Sequence, residues 1–394
     1  MKKAIQFGAG NIGRGFLGQL FSESGYEVIF VDIDKRVLES LNKNNSYLLK
    51  IVGDNPKDIT VRNVRAVDSR DVDKVAAEIK TADIMATAVG VNVLKKIAPV
   101  IAQGIKRRAD AEIIQPLNII ICENLLNAGE VFKEYIKQHC SCFEYIDSHI
   151  GFVESVVSRM IPIVPDEIKR RDPTLVMVEE YSILPVGRIG FKGKTPLIKG
   201  MVVYDNIKAY EEQKLFIHNM AHAMCAYLGY LKGYEYIWQA IKDKEINSKV
   251  RMALQESGTA LIKKHGFTQE EIGEHIEDLL TRFANKALGD TIYRVGRQPL
   301  RKLGSGDRLV GAAHLALEYS VVPENISSGI AACLMFNYSL DEEAVKLTLL
   351  LKNKGVAETL KKVSGLAPSS QLAKLITKEY AVLQRKGFVN ENIQ

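Results

Sequence analysis

Lys214, Asn219 and His222 fall within one short stretch, "KLFIHNMAHAMCAYL", Lys214 to Leu228. These three side-chain types can carry out proton chemistry without a metal. A lysine brought down from its usual pKa of about 10.4 by burial and cationic neighbours can take the proton of a hydroxyl group. An asparagine N–H can stabilise an oxygen as negative charge develops on it. A histidine can orient substrate hydroxyls or the lysine. Such a set suits oxidation of a secondary alcohol, with hydride leaving carbon as the proton leaves oxygen. A plainer reading of the same residues is a charged helix start followed by two hydrogen-bonded core residues, because buried polar groups require partners.

The stretch reads as a buried helix, since apolar residues cover almost its whole circumference. At roughly 100° per residue, with Lys214 at zero, His222 lies at about 80° and Asn219 at about 140°, on one side of the helix. His218 lies at about 40°, so position alone keeps it a candidate.

A departing hydride needs an acceptor, and the start of the chain offers a place for one. "KAIQFGAGNIGRGF" runs from a short apolar strand into glycines at 8, 10 and 13, giving G-x-G-x-x-G. A strand-like run precedes the pattern, and Phe16, Leu17, Leu20 and Phe21 behind it have helical spacing. The second strand, "EVIFVDID", carries Asp32 nineteen residues beyond Gly13. Gly8 permits the tight turn, Gly10 lets the backbone approach a pyrophosphate, and Gly13 lets the helix pack on the strand, with Asn11 and Ile12 completing the turn. The helix N-terminus offers N–H groups and partial positive charge to that pyrophosphate. Asp32 would accept hydrogen bonds from the adenosine ribose and repel a 2′-phosphate, so the expected cofactor is NAD rather than NADP. The alternative, a strand–turn–helix that binds nothing, leaves the acid at position 32 unexplained.

The alternation of strand and helix continues. "ADIMATAVG" reads as a buried strand, "VLKKIAPVIAQGI" as a helix, and "LNIIICENL" as another strand with Glu123 and Asn124 at its carboxyl end. Ligands bind at that end of open parallel sheets, although an Asn there can also simply cap the following helix. Beyond about residue 195 helical segments dominate, broken at Gly266, Pro299, Pro323 and Gly365. The expected fold is α/β: a Rossmann-type dinucleotide-binding domain over 1–195, then a mostly α-helical substrate-binding and catalytic domain over 196–394, with the active site in the cleft between them.

The chain has 394 residues, 46% hydrophobic and 25% charged, in keeping with a globular protein of two domains. No stretch has the roughly 18 uninterrupted apolar residues of a membrane span. "MKKAIQFGAG" lacks the apolar run of a signal peptide, so a cytoplasmic location is expected. Five scattered cysteines then argue for reduced thiols. "HCSCFEY", with His139, Cys140 and Cys142, lacks the spaced second half of a zinc motif, so no metal is expected. The net charge of +6 comes from 53 basic and 47 acidic residues, well mixed. That balance suits a small anionic substrate better than nucleic acid. A monomer or small homo-oligomer is expected.

The spacing Lys214-x4-Asn219-x2-His222 resembles the active-site signature of the polyol-specific long-chain dehydrogenases. "FGAGNIGRGF", "CENL" at 122–125 and "RVGRQPLRKLGSGDRL" at 294–309 resemble the members of that family that act on mannitol 1-phosphate, and the likeness extends from residue 1 to about 340. It implies metal-independent, NAD-linked interconversion of D-mannitol 1-phosphate and D-fructose 6-phosphate. It further implies that Lys214 is the general acid/base, that Asn219 and Asn124 form the oxyanion site, and that Glu123 relays protons to the lysine. Where the family usually has V-D-R-I-x-P, this chain reads "VVSRMIP", with Ser158 at the aspartate position and Arg159 and Pro162 retained.

A phosphorylated substrate needs an anion site. Arg294, Arg297, Arg301, Lys302 and Arg308 cluster there, and arginine suits phosphate because its planar fork donates two parallel hydrogen bonds. The cluster is also compatible with a solvated face. Arg297 and Arg301 are the expected substrate ligands, and Arg14, just inside the glycine turn, could reach either phosphate. The alternatives are another polyol or uronate dehydrogenase of the same family, or a 6-phosphogluconate-dehydrogenase-like enzyme. An NAD-binding protein without catalysis would be expected to have lost Lys214 or Asn219. The pair Tyr204 and Lys208 has the Y-x3-K spacing of short-chain dehydrogenases, but it lies outside the expected nucleotide domain.

Overall fold

The computed structural model describes residues 1–53, 55–125 and 127–385. The chain divides into two compact units, Met1–Glu211 and Glu212–Gln394. This differs from the expected division at 195/196, because strand pairing continues past it: β10 (Leu184–Gly187) pairs in parallel with β11 (Met201–Tyr204), which keeps the intervening chain with the first unit.

The first unit is built on six parallel strands: β1 (Lys2–Phe7), β2 (Tyr26–Asp32), β5 (Val64–Asp68), β6 (Ile84–Thr87), β7 (Leu117–Ile121) and β8 (Ile150–Glu154). Their spatial order is β5-β2-β1-β6-β7-β8. Period-two alternation divides their side chains between two cores. Ala4, Val28, Phe30, Ile84, Ala86 and Ile120 face one, and Ile5, Phe7, Ile29, Val31, Met85 and Ile119 face the other. A parallel sheet covered on both faces requires such continuous apolar runs. The chain works outward from β1 in one direction and then, from β6, in the other. The direction reverses between β1 and β6, and a crevice opens there at the strands' carboxyl ends. A smaller sheet joins β3 (Ser46–Ile51) to β4 (Lys57–Arg62) and β9 (Val176–Val178).

The second unit is helical. Its centre is the helix Met220–Leu231, in which every residue except His222 is buried. The expected breaks occur where the backbone demands them. Gly266 (φ +76°) and Gly365 (φ +68°) close the helices Lys244–His265 and Glu342–Ser364, and Pro299 opens a short helix at its first turn. No helix among the described residues is long and apolar enough to cross a membrane.

Two features depart from expectation. The helices behind the glycine turn and at Lys214 are not regular: Gly13–Gly18 and Lys214–Asn219 are wider turns, with backbone bonds reaching five residues instead of four. Cys140 and Cys142, expected as reduced thiols, form a disulfide. The turn after the helix Ala128–Lys137 sets their Cα atoms 5.5 Å apart, while Cys122, Cys225 and Cys333 stay free and buried.

The glycine turn is tight at one end and open in the middle. A Cβ at Gly13 would stand 1.9 Å from the Gly8 carbonyl oxygen, whereas one at Gly10 would meet nothing within 4 Å. Gly13→Ala should therefore destabilise the protein by about 1–3 kcal/mol, the usual cost of forcing atoms into a packed site. Gly10→Ala should leave the urea midpoint within error of the parent, and equal midpoints for the two variants would refute this account.

Candidate active site

Gly8 adopts φ +91°, donates its N–H to the Val31 carbonyl at 2.9 Å, and would place a Cβ only 2.4 Å from the Ala88 carbonyl oxygen. The first glycine is thus fixed by both neighbouring strands. The open space at Gly10 and the helix start behind it form a cradle that fits a pyrophosphate. Asn11 is exposed beside it, and Ile12 packs against the core. Asp32, at the end of β2, accepts the Ala9 N–H at 2.6 Å on one oxygen and the N–H groups of Ile33 and Asp34 on the other. The acid therefore braces the glycine turn as well as standing at its rim.

Arg14 does not reach outward to a phosphate as expected. It is buried, and its Nη1 donates to the Pro173 carbonyl at 3.1 Å; burial lowers its pKa. The retained Arg159 is also buried. It donates to the carbonyls of Glu179 and Gly15 and to the Gln19 amide oxygen, and so clamps the wide turn behind the glycines. Ser158 beside it is buried.

Glu123 lies just beyond β7, and its carboxylate accepts the N–H groups of Val89 (2.7 Å) and Gly90 (2.9 Å), closing the start of the helix Val91–Asp110. Burial raises its pKa, against the pull of those bonds. Both oxygens of its carboxylate are thus engaged with backbone N–H groups. Asn124 is exposed, and the N-cap position of the helix Ala128–Lys137 belongs to Asn127.

In the second unit, Lys214 begins the wider turn and Asn219 ends it. The Met220 N–H reaches the Leu215 carbonyl, five residues back, and also that of Ile217. In such a turn, residues five apart take the place that residues four apart hold in an α-helix. The expected separation of Lys214 and Asn219 around the helix therefore shrinks, and the two half-buried side chains share a face. Burial, with the Arg308 cation beside it, pushes the Lys214 amine down to about 8.

One helical turn further on, His222 stacks on Phe283 with ring centroids 4.8 Å apart, and its Nε2 lies 3.3 Å from a carboxylate oxygen of the buried Asp290. Burial and the cations Arg294, Lys302, Arg308 and Arg282 push its pKa down to about 3, which favours the neutral imidazole, and its buried Nε2 makes no hydrogen bond among the described residues. His218 belongs to the core. It is buried edge-on against Phe283, and burial, with Arg282, His222, Lys214 and His275 nearby, holds its pKa well below normal.

The basic stretch is more ordered than a solvated face. Lys302 is buried, and its ammonium donates to the carbonyls of Val295 and Arg297; the Tyr227 hydroxyl donates to the carbonyl between them, Gly296, at 2.9 Å. Three successive carbonyls are therefore held by two buried donors, one of them on the helix that carries His222. Arg294 pairs with Asp290, and Arg308 and Arg301 both pair with Asp307. Arg297 is exposed and makes no ion pair among the described residues, and Arg301 is exposed too. These cations form ion pairs with two carboxylates, Asp290 and Asp307, while two more, Asp341 and Glu343, accept the backbone N–H groups of Gln298 and Arg301. Among the described residues no three His, Cys, Asp or Glu side chains converge as a metal site.

Asp290, Tyr227, Phe283 and Ser257 were not singled out from the sequence. Asp290 and Arg294 are four apart, a spacing that signals a pair, but nothing in the sequence links either to His222. Tyr227 lies in the very stretch that opened the sequence reading, masked by its apolar neighbours.

The mannitol dehydrogenase Rossmann domain family matches residues 2–200, and the mannitol dehydrogenase C-terminal domain family matches residues 206–384. Among solved structures, mannitol 2-dehydrogenase of Pseudomonas fluorescens, in a ternary complex with NAD and D-mannitol, is similar over 98% of this chain and 92% of its own, at 16% identity and a TM-score of 0.76. A D-sorbitol dehydrogenase in substrate-free form is similar over 98% of this chain and 94% of its own, at 18% identity and a TM-score of 0.82. At such identities the likeness is one of fold. With both domain families matched in order along nearly its whole length, the chain belongs to the mannitol dehydrogenase family.

Proposed function

We propose that the protein is an NAD-dependent mannitol-1-phosphate 5-dehydrogenase, interconverting D-mannitol 1-phosphate and D-fructose 6-phosphate. The observation that carries this reading is a lysine amine pushed down to about 8, sharing one unit with a cluster of cations that outnumbers its carboxylate partners. The Pseudomonas fluorescens relative was solved with NAD and D-mannitol, which supports the same cofactor and a hexitol substrate here. The phosphate is our addition, and the cationic loop supports it. Lys302 and Arg294 have structural partners, but the exposed Arg297 and Arg301, with Arg308 near Lys214, leave cationic groups that a neutral hexitol would not require.

Bound NAD supplies the hydride acceptor. The open turn at Gly10 would receive its pyrophosphate, and the Asp32 carboxylate would take its ribose hydroxyls. For oxidation, neutral Lys214 accepts the proton of the substrate hydroxyl at Nζ; for reduction, its ammonium returns a proton to the carbonyl oxygen. Asn219, brought to the same face by the wide turn, donates to that oxygen as charge builds on it. His222, neutral, positions a neighbouring hydroxyl. We keep Arg297 and Arg301 as phosphate ligands and add Arg308, whose charge already reaches Lys214. Asn124 remains a candidate for the second oxyanion donor, whereas Glu123 acts through the backbone it braces and Arg14 through packing.

Lys214→Ala should lower turnover by roughly 10²–10⁴-fold while NADH still binds. In the parent, kcat/KM for polyol oxidation should rise with pH through about 8 as the amine loses its proton, and that for reduction should fall through the same range. Near-parental turnover, or profiles without these opposed limbs, would remove Lys214 from the role. Asp32→Ala should raise NADPH use relative to NADH; an unchanged ratio would mean that another group discriminates. Arg297→Gln, Arg301→Gln and Arg308→Gln should together raise KM for fructose 6-phosphate roughly tenfold or more, given the strength of charged hydrogen bonds. An equal effect on fructose or fructuronate would point to an unphosphorylated substrate.

A further inference from the structure

The wide turn at Lys214–Asn219 is held open by a residue outside it. In a regular α-helix the Met220 N–H would bond the carbonyl four residues back, that of Phe216. Here it bypasses Phe216 for Leu215 and Ile217. The Phe216 carbonyl instead accepts the Ser257 hydroxyl at 2.8 Å. Ser257 is fully buried in the helix Lys244–His265, so no water substitutes for it. The next residue, Gly258, packs against a third helix, Gln269–Phe283, where a Cβ would stand 2.7 Å from Ile272, and meets Ile217 of the turn only in ordinary contact at 3.9 Å. On the other side of the turn, a Cβ at Gly311 would stand 2.9 Å from the Phe216 ring, so Phe216 is confined at its ring as well as its carbonyl.

We propose that Ser257 is a positioning residue, which by holding the Phe216 carbonyl keeps the Lys214–Asn219 turn in its wide register and so keeps the two side chains on one face. The inference rests on the reading of Lys214 as the proton carrier. Its physical content is a competition for one carbonyl. With the hydroxyl in place, Phe216 is satisfied from outside the helix, and Met220 can bond elsewhere. Without it, a buried carbonyl is left unpaired, and the nearest remedy is the Met220 N–H four residues on. Taking that bond closes the turn to an α-helix and swings Asn219 away from Lys214, with the lysine's surroundings altered as well. Ser257 touches neither substrate nor cofactor in this account.

The test uses the full-length protein and a matched control. Ser327 is also fully buried in the helical unit, but its hydroxyl has no hydrogen-bond partner, so Ser327→Ala removes a serine without releasing a carbonyl. Ser257→Ala should lower kcat for fructose 6-phosphate reduction on the order of ten- to hundredfold, the scale of a misplaced reacting group, with KM for NADH unchanged. Its pH profile should also move away from the parental limb near 8, whereas Ser327→Ala should keep both kcat and the limb. Parental kcat and pH profile in folded Ser257→Ala would overturn the inference. If that variant does not fold, Ser257→Cys, of similar size and with a weaker donor, should show a smaller loss of kcat with a displaced limb, and a parental profile there would overturn the inference equally. Lys214→Ala is run in parallel. An active Lys214→Ala would sink the underlying reading, while an inactive Lys214→Ala with a silent Ser257 variant would sink this inference alone.

Discussion

The Met220 amide reaches past its natural helical partner to Leu215, and what the helical unit offers a reacting oxygen depends on that one displaced hydrogen bond. Wide turns are uncommon because they give up regular helical bonding, and they persist where surrounding structure satisfies the groups they release. Here the surroundings do so with a serine hydroxyl on one side and a glycine-made socket for a phenyl ring on the other. The gain is geometric. On the proposed reading, a proton acceptor, Lys214, and an oxygen-stabilising amide, Asn219, come to one face of one helix.

The first unit uses a related device. Its glycine turn also leads into a wide helical turn, Gly13–Gly18, and a buried arginine donates to a carbonyl within it. In both units a group from a distant part of the chain supports helix backbone beside the region assigned to chemistry. The two wide turns are alike in having a carbonyl bonded by a long-range partner: Arg159 for one, Ser257 for the other.

Much of the sheet was legible in the sequence. Parallel strands buried on both faces are written as short apolar runs, and the glycines and the acid at position 32 have backbone or charge reasons for being what they are. The helix breaks at Gly266, Pro299 and Gly365 were readable for the same cause, since each is a residue with unusual backbone limits. The wide turns were not readable. Residues 214–219 carry no glycine or proline, and the partners of Phe216, Ser257 at its carbonyl and Gly311 at its ring, are brought close only by the fold. Arg14 misled because its place beside a phosphate-binding turn suggested a ligand, while tertiary packing directs its guanidinium to a carbonyl. The basic stretch announced its charge but not its shape, which depends on Tyr227, a side chain the apolar helix around it conceals.

The two buried donors behind that stretch differ in what acid and alkali do to them. Tyr227 stays protonated throughout, its pKa raised well above normal by burial. Lys302 is pushed down to about 7 by burial and the neighbouring Arg308, so above neutral pH its neutral amine is favoured. A neutral amine still bears two hydrogens, enough for the two carbonyls it serves. The tether outlives its own charge, and the loop can keep its form while the electrostatic field around it weakens.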